Sequence, residues 1–249
     1  MIHSFLLIGQ SNMAGRGFLS EAREIDTSRI YTLRNGRFQT MFRPICPDLV
    51  ACGVNLAESF AEHYAQKHDV DVGLICAADG GSNLDQWAPG SLIFDHAVAQ
   101  AKLAARSSVI MGVLWHQGES DCKPEKNSTY RRRCQEMIAG FREAVPELKN
   151  VPFLVGGLGD FLKNCVKYPE LKDYPKVNTA LQEMAASDPL IGFVSAEGLS
   201  GNPDNLHFSS ASLYEFGLRY LEEFEKFQTS ASQAGTSEDN MERSSMELL

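Results

Sequence analysis

The stretch Phe5-Leu6-Leu7-Ile8-Gly9-Gln10-Ser11-Asn12 decides the fold class. Its apolar run is too short to cross a bilayer and too hydrophobic for a surface strand. Such a run is what a parallel strand covered on both faces requires. It stops at Gly-Gln-Ser-Asn, so a hydroxyl nucleophile is expected where a buried strand ends. In open α/β sheets, ligands collect outside the carboxyl ends of the strands, and Ser11 stands there.

Working outward, residues 72–77, 109–115, 151–156 and 192–196 read the same way: short, apolar and bounded by Gly, Pro or polar residues. Helical spacing falls between and after them. Val54, Ala57, Ala61 and Tyr64 recur at three- and four-residue steps, as do Val177, Leu181 and Met184, then Leu213, Phe216, Tyr220 and Phe224. Pro146 closes a helix through Met137 and Phe141. The alternation predicts an α/β chain: a three-layer α/β/α sandwich around a five-stranded parallel sheet with right-handed crossovers. One domain over 1–228 is expected, because no Pro/Gly/Ser-rich linker interrupts it. Residues 18–52 break the rhythm, and Asn35-Gly36 predicts a small hairpin or ordered flap there. Residues 229–249 lack apolar periodicity and read as a disordered tail.

The net charge of −9 disfavours phosphate backbones, so no nucleic-acid partner is expected. The basic run Arg131-Arg132-Arg133 lies in a helical stretch and reads as a solvated face. Six cysteines without a CxxC pair suggest neither a zinc ribbon nor a redox motif. They read as free thiols in a reducing compartment, with Cys76 a small core residue. No signal peptide, transmembrane segment or membrane partner is read. Cytoplasmic placement is the expectation, with an exported protein trimmed of its leader as the alternative. Oligomeric state is left open.

Three loops after predicted strands gather the candidate chemistry: Ser11, then Asp79-Gly80-Gly81-Ser82-Asn83, then His116-Gln117-Gly118-Glu119-Ser120-Asp121. The late segment Asp204-Asn205-Leu206-His207 would reach the same edge. A serine hydroxyl is a weak nucleophile and needs a base within hydrogen-bond reach. His207 can serve through Nε2 if Asp204 holds Nδ1–H. Acyl transfer also creates an oxyanion, and the N–H groups of Ser11 and Gly81 with the Gln117 amide are candidate donors. Each residue alone has a plainer role, as a helix cap, a turn or a loop tie. Their convergence on one rim favours chemistry.

Other motifs fit less well. Met13 breaks the G-x-S-x-G elbow. Neither a Walker A lysine nor a G-x-G-x-x-G follows the first strand. Asp79, Asp85 and Glu119 lack metal-ligand spacing with histidine, so no metal or other cofactor is expected. A two-carboxylate glycosidase would leave Ser11 and His207 without a task. Trp87 could stack on a sugar or simply pack in the core.

The segments Gly9-Gln10-Ser11-Asn12-Met13-Ala14-Gly15, Gly80-Gly81-Ser82, Trp115-His116-Gln117-Gly118-Glu119-Ser120-Asp121 and Asp204-Asn205-Leu206-His207-Phe208 resemble the signature blocks of SGNH hydrolases. Within that superfamily they are most similar to the sialate O-acetylesterase / acetylxylan esterase family, carbohydrate esterase family 6. The resemblance implies a flavodoxin-like sandwich and metal-free O-deacetylation of a carbohydrate. It makes Ser11 the nucleophile, His207 the base and acid, and Asp204 its orienting partner. Ser11, Gly81 and Gln117 would form the oxyanion hole, Gln117 replacing the asparagine of the superfamily name. The expected partner is a small-molecule or glycan acetyl ester. Acetylated xylan, sialic acid and cell-wall sugars all remain compatible. The rivals are a non-catalytic glycan-binding protein on the same fold and a short-chain lipase or thioesterase. The small and polar residues near Ser11 and Gly81 disfavour a long acyl groove.

Overall fold

The computed structural model describes residues 1–246, with side chains described through Thr229. Of the tail expected at 229–249, the side chains after Thr229 and the whole of residues 247–249 lie outside the described residues. The central strand β1 (Ile2–Gly9) carries the opening apolar run, and Phe5, Leu6, Leu7 and Ile8 are fully buried. The remaining strands are β2 (Ile30–Arg34), β3 (Arg37–Thr40), β4 (Asp71–Cys76), β5 (Ser108–His116), β6 (Phe153–Gly156) and β7 (Ile191–Val194). They form one seven-stranded sheet in the order β3-β2-β4-β1-β5-β6-β7.

The five strands read from the sequence are β1, β4, β5, β6 and β7, mutually parallel in the flavodoxin order 2-1-3-4-5. The sheet has seven strands rather than five because the 18–52 region adds a hairpin. Strand β2 pairs parallel with β4, and β3 returns antiparallel along the edge. Asn35 (φ 50°) and Gly36 (φ 77°) supply the two left-handed residues that a tight hairpin turn requires. Strand β2 offered too few apolar residues to be read as a sheet member.

The helices are α1 (Ser11–Ala14), α2 (Ala57–His68), α3 (Leu92–Ala104), α4 (Pro124–Asn127), α5 (Tyr130–Ala144), α6 (Tyr174–Ser187) and α7 (Ser210–Met246). Helices α2 and α7 pack together on one face, where Phe60, Tyr64 and Phe224 surround Phe5 with ring centroids 4.7–5.3 Å away. Helices α3 and α5 cover the other face and meet through Phe94 and Phe141. Helix α3 escaped the sequence reading because much of its buried stripe is alanine: Ala97, Ala101 and Ala104 beside Phe94. Among the described residues, no helix is long and apolar enough to cross a membrane.

Cys46 and Cys76, expected as free thiols, form a disulfide with Cα atoms 5.5 Å apart. The loop carrying Cys46 folds over the end of β4, a long-range approach that cysteine spacing does not reveal. The other four cysteines are free and buried.

The chain turns to opposite sides of β1 through β4 and β5, which makes the carboxyl ends of β1 and β5 the switch point. These ends approach closely. Gly9 (φ 135°) has no room for a Cβ, which would lie 2.1 Å from the His116 carbonyl oxygen. The Gln10 N–H donates to that oxygen at 2.9 Å.

Candidate active site

Ser11 opens α1 directly beyond that switch point. Its Oγ lies 3.1 Å from Nε2 of His207, whose Nδ1 lies 2.7 Å from Oδ2 of Asp204. The turn between them works because Asn205 adopts a left-handed conformation (φ 51°), which asparagine tolerates. Oδ1 of Asp204 accepts the N–H groups of Leu206 (2.9 Å) and His207 (3.0 Å). One carboxylate thus fixes both the loop and the ring. Burial raises the Asp204 pKa, but these donors and the imidazole outweigh it and hold the carboxyl below the ordinary aspartate value. An ionised Asp204 accepting Nδ1–H leaves the Nε2 lone pair facing the Ser11 hydroxyl.

The base loop is clamped to the nucleophile segment. Buried Asn12 donates Nδ2–H to Oε1 of Glu119 (2.5 Å) and to the Leu206 carbonyl (3.1 Å). Its Oδ1 accepts the Phe208 N–H at 3.1 Å. Both neighbours of His207 therefore hang on the residue after Ser11. Gln10 Oε1 accepts the N–H groups of Gly118 (3.4 Å) and Ser120 (3.3 Å), tying the first block to the third. Sequence reasoning left Asn12 and Gln10 without roles, although both lie within the quoted first block.

Gly81 lies in the same cavity with φ 81°, and nothing stands within 4 Å of where a Cβ would be. Among the described residues, the N–H groups of Ser11 and Gly81 have no hydrogen-bond acceptor. The structure does not bring Gln117 with them. It is fully buried, and its Nε2 donates to Oδ2 of Asp121 (2.6 Å) and the Ser82 carbonyl (3.3 Å). Its Oε1 accepts the Tyr130 hydroxyl at 3.2 Å. The amide is spent inside the loop, because Asp121 is a buried anion that needs donors. Arg133 also reaches Asp121, at 2.8 Å. So one member of the basic run turns inward, while Arg131 and Arg132 make surface pairs with Glu183 and Glu136.

Trp87 is core, fully buried, edge-on to Trp115 and bonded to Ser82 Oγ at 2.8 Å. Of the acids weighed as metal ligands, Asp85 pairs with Lys126 and Arg133, and Glu119 holds Asn12.

The cavity above Ser11 has a volume of about 1020 Å³. Besides the small and polar residues expected, Phe18, Leu19, Leu49 and Val50 from the 18–52 region line it. Lys123, Lys126, Tyr168 and Glu170 line it as well. The apolar wall was not legible, since Phe18 and Leu19 follow the first block with no helical or strand periodicity and meet Leu49 and Val50 only once the 18–52 segment folds over the site.

The fold is an α/β sandwich of the SGNH type, and Ser11, His207 and Asp204 stand in line at its carboxyl edge. The family described as carbohydrate esterase, sialic acid-specific acetylesterase matches residues 1–226, and the chain belongs to that family. It is 25% identical over 239 residues to the probable carbohydrate esterase At4g34215 of Arabidopsis thaliana, covering 86% of each chain. The solved structure of that Arabidopsis protein superposes with a TM-score of 0.78 at 24% identity, covering 90% of this chain and 98% of the other. NanS gives a TM-score of 0.72 at 16% identity, over 92% and 98% of the two chains. XAC1771, a carbohydrate acetylesterase from Xanthomonas citri, gives 0.65 at 19% identity, over 88% of this chain and 55% of that one.

Proposed function

We propose that this chain is a serine esterase that removes O-acetyl groups from a carbohydrate or similar hydroxylated substrate. The observation that carries the reading is the relay from Ser11 Oγ through His207 to Asp204, at 3.1 and 2.7 Å. Ser11 Oγ attacks the acetyl carbonyl carbon while His207 Nε2 takes the hydroxyl proton. The carbonyl oxygen becomes an oxyanion beside the N–H groups of Ser11 and Gly81. His207 returns the proton to the departing alcohol, leaving an acetyl-serine. Water attacks that ester, its proton passes to His207, and acetate leaves as Ser11 regains its hydrogen.

A specific observation favours a second reading. The wall of Phe18, Leu19, Leu49 and Val50 could hold the acyl chain of a short-chain lipase or thioesterase substrate. Rates on acetyl, butyryl and octanoyl esters separate the two. Rates that collapse beyond acetyl support deacetylation; a preference for the longer chains rejects it. A serine-reactive phosphonate, followed by intact mass on wild type and Ser11→Ala, tests the nucleophile. Labelling of wild type alone is expected. Equal labelling of both, or of neither, overturns the assignment, and the latter points to a glycan-binding protein.

A further inference from the structure

Gly80 and Gly81 carry the N–H that would face the oxyanion, yet consecutive glycines have the widest backbone freedom. Two side chains outside that loop hold it. Asp48 Oδ2 accepts the Gly80 N–H at 2.8 Å, and Ser120 Oγ donates to the Gly81 carbonyl at 3.1 Å. The peptide bearing the Gly81 N–H lies between these two bonds.

The same Asp48 carboxylate grips the nucleophile segment. Its Oδ2 accepts Arg16 Nη2–H (2.7 Å), and its Oδ1 accepts Arg16 Nη1–H (3.0 Å) and the Cys52 thiol (2.7 Å). Arg16 is flanked by two glycines that pair with the Asp48 loop. Gly53 N–H donates to the Gly15 carbonyl (3.1 Å) and Val54 N–H to the Gly17 carbonyl (2.9 Å). The Cys46–Cys76 disulfide fixes the start of that loop to the end of β4. The contact is close: a Cβ on Gly80 would lie 2.6 Å from both Arg16 Nη2 and Asp48 Oδ2.

We infer that Asp48 is a positioning residue: its largely enclosed carboxylate, shared between Arg16 and the Gly80 N–H, aims the Gly81 N–H at the carbonyl that Ser11 attacks. The inference rests on the proposed esterase reading of Gly81. Asp48 itself touches no reacting atom. A buried Arg–Asp pair can also be purely structural, so the test needs a readout that stability alone would not move.

The experiment uses the full chain as wild type, Asp48→Ala, Asp48→Asn and Ser120→Ala. It measures kcat and KM on an acetyl ester, and amide hydrogen exchange across residues 79–82. Asp48→Ala should lower kcat by about 10²-fold, the loss typical of one oxyanion donor, with KM little changed. Asp48→Asn keeps an acceptor for the Gly80 N–H and should recover about tenfold of that loss. Ser120→Ala should lower kcat by roughly three- to tenfold, as for one lost neutral hydrogen bond. Exchange at Gly80, whose N–H is bonded to Asp48, should quicken in Asp48→Ala and much less in Asp48→Asn. A folded Asp48→Ala protein with wild-type kcat, or one whose loss falls only on KM, overturns the inference. Should Asp48→Ala fail to fold, unchanged kcat and exchange in both remaining variants overturn it. A wild type without esterase activity would reject the proposed function instead, and the exchange rates would still report whether Asp48 holds the glycine loop.

Discussion

Asn12→Ala is the substitution that strikes the proposed triad without touching any of its members. Asn12 is 1% exposed and makes three hydrogen bonds, to Glu119, Leu206 and Phe208. At about 1 kcal/mol net each, their loss costs about 3 kcal/mol of stability. The variant also strands a buried carboxylate, because Glu119 Oε2 already has no partner and Oε1 would lose its donor. An orphaned buried group adds about 1–3 kcal/mol, so the whole effect is about 4–6 kcal/mol. The catalytic consequence follows from the chain. Leu206 and Phe208 flank His207, so releasing both lets the imidazole drift from its 3.1 Å contact with Ser11. A misplacement near 1 Å costs about 10² in rate. Guanidinium unfolding gives the stability loss, and kcat on an acetyl ester below the transition gives the rate. A double-mutant cycle with Glu119→Ala should show a coupling of about 1–3 kcal/mol, since the two residues share one network. An Asn12→Ala protein that loses less than about 1 kcal/mol and keeps its kcat would refute the clamp.

Two other expectations test the site more narrowly. Gln117→Leu removes donors from Asp121 and Ser82 and should cost about 1–3 kcal/mol of stability. The kcat of its folded fraction should stay within about tenfold of wild type; a fall of 10²–10³ would return Gln117 to the oxyanion hole. For pH, burial raises the Asp48 pKa, but bonds from Arg16, Cys52 and Gly80 outweigh it and hold the carboxyl below the ordinary value. A lowered folded-state pKa means that the carboxylate stabilises the fold above the unfolded value of about 3.9, and that this is lost as pH falls through the folded value. The melting-temperature gap between wild type and Asp48→Asn should therefore narrow below about pH 4. A gap that stays constant from pH 7 to pH 3 would contradict this.

Much of the molecule was legible because its signals are local. An unbroken apolar run such as Phe5–Ile8 has few places to go except a sheet covered on both faces, so five parallel strands and their order of appearance could be read directly. Asp204 and His207 share one turn, and their three-residue spacing already implied the contact. The hairpin turn at Asn35-Gly36 announced itself through the two residue types that left-handed backbone favours. Membership of the seven-stranded sheet did not, because Ile30–Arg34 is only partly buried.

Tertiary structure decided whatever depends on which distant groups meet. The sequence alone determined that a serine and a histidine would end near one sheet edge. It could not show that Gln117 would be consumed by Asp121 and Ser82, because an amide's partners depend on where a neighbouring loop deposits a buried charge. Nor could it show that Asp48, Arg16 and Gly80 converge, or that Cys46 reaches Cys76. Strand and helix periodicities are set by each residue's own backbone and immediate neighbours. Hydrogen-bond allegiance is set by which donors and acceptors are left without water when the loops close together, and that is settled only when the chain is packed.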